Sequence, residues 1–178
     1  MFAINTTQSR PAFGATFMAS ALACAALATT ALGTAPAANA SCASFFGIGN
    51  SANCSSTLFS VAIAIGDGTA AHADGLFGAA FVVGKNSTAS TTSGSLLNLA
   101  TSLFGDGNTV SAAGGVSNWA TNIGGSGNTV TTQGSLSNTA TNILGSNNTV
   151  TTSGGYLNWG RNVLGDGNTI DIVGGYSN

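Results

Sequence analysis

His72 is the one histidine of the chain, and it lies between Asp67 and Asp74. A histidine near carboxylates can act as a general base once a nucleophile is held against it. A strand or turn histidine on a surface is the commoner source of such a trio. Gly-Asp-Gly-Asn occurs at 105–108 and again at 165–168. Aspartates at such corners bind calcium when adjacent coils present them together. The corners in between carry Ser126 and Ser146, so tight-turn chemistry accounts for these motifs better. Cys42 and Cys54 form an even pair suited to a disulfide. Two cysteines and one histidine do not complete a tetrahedral metal site. The sequence therefore assigns no catalytic, cofactor-binding or metal-binding residue, and no cofactor is expected.

Composition narrows the field further. The chain has 178 residues, 26 of them Gly, and is 4 % charged, against about 25 % in an ordinary globular domain. All five acids are Asp, and the only bases are Arg10, Lys85 and Arg161. With a formal net charge of −2 there is no electrostatic footprint for nucleic acid, and no nucleic-acid partner is expected.

Residues 1–40 read as a signal peptide. Arg10 is their only charge, an apolar stretch follows, and Ala38-Asn39-Ala40 supplies the small residues of a cleavage site. A membrane anchor is the competing reading, but Thr29, Thr30, Gly33 and Pro36 interrupt the apolar run. A lipoprotein reading would use Cys24, which has Ala21 where a Leu belongs. Cleavage leaves Ser41–Asn178, a secreted or cell-surface chain with no membrane span, whose two remaining cysteines suit an oxidising compartment.

The elements that must position any site are set by a repeat. Asn recurs every ten residues at Asn98, Asn108, Asn118, Asn128, Asn138, Asn148, Asn158, Asn168 and Asn178. Two places later comes a small or β-branched residue, as at Ala120, Val130, Ala140 and Val150. Seven places later comes Gly or Ser, as at Gly125 and Ser135. Alternate units differ, so the true period is twenty, and a second Asn column follows it at Asn122, Asn142 and Asn162. So much Gly and β-branched residue opposes a helical repeat. Each run is about five residues, a normal strand, and strand alternation puts each Asn on the same face as the residue two later. The expected fold is all-β: a β-solenoid with about 20-residue coils and two short strands per coil. Its Asn side chains point inward as a hydrogen-bonded ladder, and Thr129 and Thr131 point outward.

Toward the N-terminus the pattern loosens. Gly66-Asp67-Gly68 and Gly84-Lys85-Asn86 open coils of irregular length. Residues 41–65, with the Cys pair and Phe45, Phe46 and Phe59, read as an atypical capping coil. The expected organisation is 1–40 signal peptide, 41–65 disulfide-bearing cap, 66–97 irregular coils and 98–178 regular Asn-ladder coils. Asn178 lies in phase with the ladder, so the solenoid end is expected to expose a strand edge through which copies self-associate. Arg161 and Asp171 break the outward Thr/Ser column there, as charges that guard an edge.

On the outside, Trp119, Trp159, Tyr156 and Tyr176 could form an aromatic strip for a glycan or a surface protein. Thr109-Val110-Ser111, Thr129-Val130-Thr131 and Thr149-Val150-Thr151 form outward hydroxyl ranks of the kind that bind ice. Asn86-Ser87-Thr88 fits a glycosylation sequon.

Over 84–178 the Asn-x-Ala/Val spacing with regular Gly resembles curlin repeats, the subunits of bacterial surface amyloid. Ser-Val-Ala-Ile-Ala-Ile-Gly at 60–66, and more weakly the stretch to residue 84, resembles head repeats of trimeric autotransporter adhesins. The Gly-x-Gly-Asn-Thr units resemble the Asn/Gly tandem repeats of mycobacterial surface proteins. These resemblances imply an exported, non-enzymatic structural or interaction protein of the bacterial cell surface that self-assembles. The alternative is a binding module using the aromatic strip. Ice binding is a further alternative, and so is a glycan-active enzyme, for which the dispersed aspartates offer no cluster.

Overall fold

The computed structural model describes residues 41–178; the leader, its cleavage site and Cys24 lie outside the described residues. Fifteen strands form among them. Three belong to an N-terminal cap: β1 (Ser41–Phe45), β2 (Ile48–Gly49) and β3 (Cys54–Ser56). Twelve form six coils of two strands each. These are β4 (Val61–Ile65) with β5 (Ala70–Ala73), β6 (Ala79–Lys85) with β7 (Thr88–Thr91), and β8 (Leu99–Asp106) with β9 (Thr109–Ala113). They continue with β10 (Trp119–Ile123) and β11 (Thr129–Gln133), β12 (Thr139–Ile143) and β13 (Thr149–Ser153), then β14 (Trp159–Asn162) and β15 (Thr169–Val173). The chain is a β-solenoid, as its twenty-residue period requires.

Even-numbered strands from β4 to β14 stack into one sheet, hereafter sheet A, and odd-numbered strands from β3 to β15 into a second, sheet B. Pairing between coils is parallel and in register: Ala120 lies between Ala100 and Ala140, and Val130 between Val110 and Val150. The advance is twenty residues in the regular part. It is 18 from Val61 to Ala79 and 21 from Thr88 to Thr109. At about 4.8 Å per coil the six coils span about 29 Å.

The residue alternation decides what is inside. In sheet A the first inward column is small, with Ala100, Ala120 and Ala140 fully buried, and the second carries Val82, Asn122 and Asn142. In sheet B the matching positions are Val110, Val130 and Val150, also fully buried. A small residue facing a β-branched one lets the two sheets approach closely and fill the narrow core. The last coil keeps this balance with other residues. Gly160 replaces the Ala, and Ile170 and Ile172 replace Val and Thr; a methyl at Gly160 would come to 3.5 Å from the Ile172 side chain.

One corner is closed by glycine for a steric reason. Gly105 has φ +127° and Gly125 φ +84°, and a Cβ on either would run into the carbonyl oxygen of the next coil's glycine, Gly125 or Gly145. Only a residue without a side chain can turn there with coils stacked this closely. The opposite corner tolerates side chains in the same left-handed region: Leu97, Ser117, Ser137 and Leu157 all have φ between 55° and 60°. Each of these donates its N–H to a carbonyl one coil back, as Ser137 does to Val116 at 2.9 Å. That bond offsets conformational strain of about 1–2 kcal/mol per residue.

The cap departs from the parallel pattern. β1 lies antiparallel on β4, and β2 antiparallel on β1, so sheet A is covered at this end by a hairpin. A Cys42–Cys54 disulfide, Cα–Cα 5.6 Å, ties β1 to β3 across the two sheets.

The two outer faces differ. Sheet B turns hydroxyls outward, with Thr109, Thr129, Thr149 and Thr169 in one column and Ser90, Ser111, Thr131 and Thr151 in the next. Sheet A turns out apolar side chains in its first and third outward columns. Leu99, Trp119 and Trp159 belong to the first, and Ile65, Val83, Leu103, Ile123, Ile143 and Val163 form the third. Between them Thr101, Thr121 and Thr141 form a middle column that ends in Arg161.

Candidate functional site

The asparagines form the most extensive polar arrangement, and they fall into three columns rather than one. Asn98, Asn118, Asn138 and Asn158 precede strands of sheet A, with Asn178 in phase with them; Asn108, Asn128, Asn148 and Asn168 precede strands of sheet B. In both columns a bond from backbone to side chain joins each Asn to the next, and in the first column Asn138 Nδ2 to Asn118 Oδ1 adds a side-chain bond at 3.1 Å. The Asn138 N–H donates to Asn118 Oδ1 at 2.9 Å, and the Asn158 N–H donates to Asn138 Oδ1 at 3.0 Å. In the other column Asn128 N–H donates to Asn108 Oδ1 at 2.9 Å and Asn148 N–H to Asn128 Oδ1 at 3.0 Å. The amide NH₂ groups mostly turn to glycine carbonyls, as Asn128 Nδ2 does to Gly145 at 2.8 Å. A ladder of side chain on side chain alone is found instead in the twenty-residue column. Asn162 Nδ2 donates to Asn142 Oδ1 at 2.7 Å, and Asn142 Nδ2 to Asn122 Oδ1 at 2.8 Å. The expected ladder is therefore present in the nine-member set, where Asn Oδ1 accepts the next Asn N–H and, at Asn138 to Asn118 and Asn178 to Asn158, the next amide as well, both at 3.1 Å. Its amides satisfy backbone groups at the turns, where a strand has no neighbour to do so.

The columns begin earlier than Asn98. Ser60, Thr69 and Ser87 occupy the same place before their strands and are buried. Ser60 Oγ donates to the Thr57 carbonyl at 2.9 Å, Thr69 Oγ1 donates to the Gly66 carbonyl at 2.7 Å, and Ser87 Oγ accepts the Asn108 N–H at 3.1 Å. Their position three residues after a corner was the available signal, hidden by coils of 18 and 21 residues.

His72 does have a hydroxyl partner. Its Nδ1 lies 2.9 Å from Ser55 Oγ of the preceding strand, and Ser90 is its register neighbour in the next coil. Both Ser55 and His72 are half-buried and face outward on sheet B. The contact is what a nucleophile and base require. Asp74 follows the strand and Asp67 precedes it by three residues, and among the described residues neither bonds the imidazole. Ser55 and His72 thus begin the outward hydroxyl column that continues through Ser90 and Ser111, whose Oγ atoms are 3.4 Å apart.

The aspartate corners tie neighbouring turns. Asp106 Oδ1 accepts from Asn86 Nδ2 at 3.0 Å, and Asp166 Oδ1 accepts the Ser146 N–H at 2.6 Å. Asp106 and Asp166 lie three coils apart, about 14 Å. Among the described residues no group of three or more His, Cys, Asp or Glu could hold a metal. Asn86 of the sequon sits in the same corner column, exposed.

The four aromatic residues do not form one cluster. Tyr156 and Tyr176 stack at one corner with ring centroids 5.8 Å apart. Trp119 and Trp159, 50 % and 60 % exposed, stand on sheet A two coils apart with Thr139 between them. Phe46 and Phe59 of the expected cap form a second aromatic group, joined by Phe77, which the sequence reading did not include: Phe59 lies 6.2 Å from Phe46 and 5.5 Å from Phe77, at the N-terminal end of the same corner. Its residues follow the corner apolar column, Leu76 to Leu96 to Val116 to Leu136. A shallow cleft there is lined by Thr57, Leu58, Asp74, Leu76, Ser95 and Leu96. The hydroxyl ranks of sheet B are longer than the three read from sequence, since Thr88-Ala89-Ser90 joins them in register.

No protein-family profile, curated protein or solved structure matches this chain. Among the described residues, no helix is long and apolar enough to cross a membrane.

Proposed function

We propose that this chain is an exported, non-enzymatic structural and interaction protein of the bacterial cell surface, one that presents flat, rigid faces and self-assembles. The observation that carries the reading is the coil-to-coil bonding: nearly every turn is tied to the next by an Asn amide, in a core of small residues. Such a rod spends its sequence on rigidity and on repeating outer columns. The disulfide across the cap supports an oxidising compartment. In this reading the Ser55–His72 contact belongs to the hydroxyl face. Self-association through the solenoid end is part of the same reading: β14 and β15 are the last strands of their sheets and carry Arg161 and Asp171 outward.

The test is location and processing. Expressed in a bacterium with an intact export pathway, the chain should appear outside the cytoplasm and begin at Ser41 on N-terminal sequencing. Cytoplasmic retention of an uncleaved chain with free thiols would reject the proposal. A second reading, a glycan- or protein-binding module, is favoured by the exposure of Trp119 and Trp159. Glycan-array binding lost in Trp119→Ala and Trp159→Ala would establish it.

A further inference from the structure

We infer that the outer face of sheet B binds ice, holding the surface of a water crystal through two columns of hydroxyls. The inference goes beyond the proposed surface role and depends neither on export nor on self-assembly.

The first ground is a comparison within the chain. The first residue of each coil strand points outward on both sheets. On sheet A that residue is Val61, Ala79, Leu99, Trp119, Thr139 or Trp159, so the fold itself accepts side chains of very different size there. On sheet B it is Thr in five consecutive strands: Thr88, Thr109, Thr129, Thr149 and Thr169. Strand propensity alone would admit Val, Ile or Tyr as well. A position held to one methyl and one hydroxyl answers to what the face touches. Two places along each strand, Ser90, Ser111, Thr131 and Thr151 repeat the hydroxyl in a second column.

The second ground is the lattice that these columns make. The coils repeat at about 4.8 Å along the rod, and residues two apart on a strand lie about 6.7 Å apart. Both steps lie close to the two oxygen repeats on the prism face of hexagonal ice. Liquid water has no such long-range repeat, so a rigid array with these steps favours the crystal over the liquid. Rigidity comes from beneath the face. Asn108 Oδ1 and Asn128 Oδ1 accept the N–H of the next Asn at 2.9 and 3.0 Å, one residue before each Thr, and a surface ordered before binding loses little entropy on binding. Ser90 Oγ and Ser111 Oγ share one bond at 3.4 Å; among the described residues the hydroxyls of Thr129, Thr131, Thr149 and Thr151 carry no such bond and are left to water. From β7 to β13 no outward residue of the sheet B strands is charged, so no ion draws water off the lattice; His72 lies before the array and Asp171 in its last rung. Sheet A offers one hydroxyl column, Thr101 to Thr141, and a single column fixes only one of the two repeats.

The experiment is microscopy of single ice crystals in solutions of the full chain, cooled slowly below the melting point. Wild type should facet the crystals along their prism faces and arrest their growth over a gap between the melting and freezing temperatures. Thr129→Lys and Thr131→Lys should each lose that gap. The matched changes on the other sheet, Thr121→Lys and Thr141→Lys, should keep it. Ser111→Thr, which completes a rank of two threonines, should widen it. Circular dichroism reports whether each variant keeps its β signature. If the lysine variants of sheet B unfold, the milder Thr129→Ser with Thr149→Ser serves: it keeps the hydroxyls, removes two methyls and should narrow the gap. Round crystals with no gap at millimolar concentration, a gap that folded sheet B variants leave unchanged, one that folded sheet A variants abolish, or retention on crystalline cellulose or chitin with no effect on ice would overturn the inference.

Discussion

Asn138→Ala separates the roles of the two kinds of asparagine. Asn138 is fully buried. Its Oδ1 accepts the Asn158 N–H at 3.0 Å, and its Nδ2 donates to Asn118 Oδ1 at 3.1 Å. After truncation Asn118 Oδ1 still accepts the Asn138 backbone N–H at 2.9 Å, so it keeps a partner. The Asn158 N–H loses the only acceptor it has. An unsatisfied buried donor costs about 1–3 kcal/mol, and the void left by the amide adds about 1 kcal/mol. The expected loss is about 2–4 kcal/mol. Thr139→Ala, one residue on and facing outward, should cost under about 0.5 kcal/mol. Urea unfolding measures both. Amide hydrogen exchange adds a local readout, since the Asn158 amide should lose protection in Asn138→Ala while the Asn118 amide should not. Equal losses at 138 and 139 would refute the assigned faces. An Asn158 amide as protected as in wild type would refute the backbone-to-side-chain bond.

Gly125→Ala should be far more damaging than Gly107→Ala. Both glycines have positive φ, but a Cβ at 125 meets the Gly145 carbonyl whereas one at 107 meets nothing within 4 Å; thermal unfolding should show about 1 kcal/mol at 107 and at least about 3 kcal/mol at 125. Ser102→Asn should stabilise by about 0.5–1.5 kcal/mol, because Asn122 Nδ2 and Ser102 Oγ are both buried without partners and an Asn there continues the column toward Asn122, beside the small Ala112; a lower unfolding midpoint in urea would count against it. Cys42→Ser with Cys54→Ser should cost about 3 kcal/mol for a loop of this length, read as a lower melting temperature that matches wild type under reducing conditions. Arg161→Thr with Asp171→Thr should speed fibre formation in thioflavin fluorescence and electron microscopy, and an unchanged rate would remove the edge-guard role of these charges.

Most of the fold was legible because the repeat states its own period. Position in the twenty-residue unit, together with strand alternation, placed Ala120 and Val130 inside and Thr131 outside without reference to any other feature. What the asparagines bond to was not legible. Spacing says that Asn118 and Asn138 stack, but whether an amide faces another amide or a turn N–H depends on where the strand begins, and Asn118 sits one residue before β10. Asn122, inside β10, has its backbone groups engaged by the sheet, so its amide is left to meet Asn142. The Ser55–His72 contact was hidden for another reason. It joins the cap to the first coil over 17 residues, a separation that belongs to neither the ten- nor the twenty-residue rhythm.

The same distinction predicts how the columns respond to apolar replacement. Val82 already occupies the Asn122 column two coils earlier, fully buried, so that column accommodates a branched apolar side chain. Replacing Asn142 alone by Val leaves Asn162 Nδ2 and Asn122 Oδ1 without partners, a loss of about 1–3 kcal/mol. Replacing Asn122, Asn142 and Asn162 together removes the donors and acceptors of the column alike; only Asn168 Nδ2, which donates to Asn162 Oδ1 at 3.0 Å, loses a partner, and Asn168 is exposed to water, so the triple change should cost no more than the single one. Asn118, Asn138 and Asn158 cannot be relieved in this way. Their Oδ1 atoms accept backbone N–H groups that no substitution removes, so each replacement strands an N–H of its own and the triple variant should lose more than any single one. Urea midpoints of the two triple variants test the distinction directly. Comparable losses in both would mean that the twenty-residue column also carries turn backbone, and that the division between strand amides and corner amides is wrong.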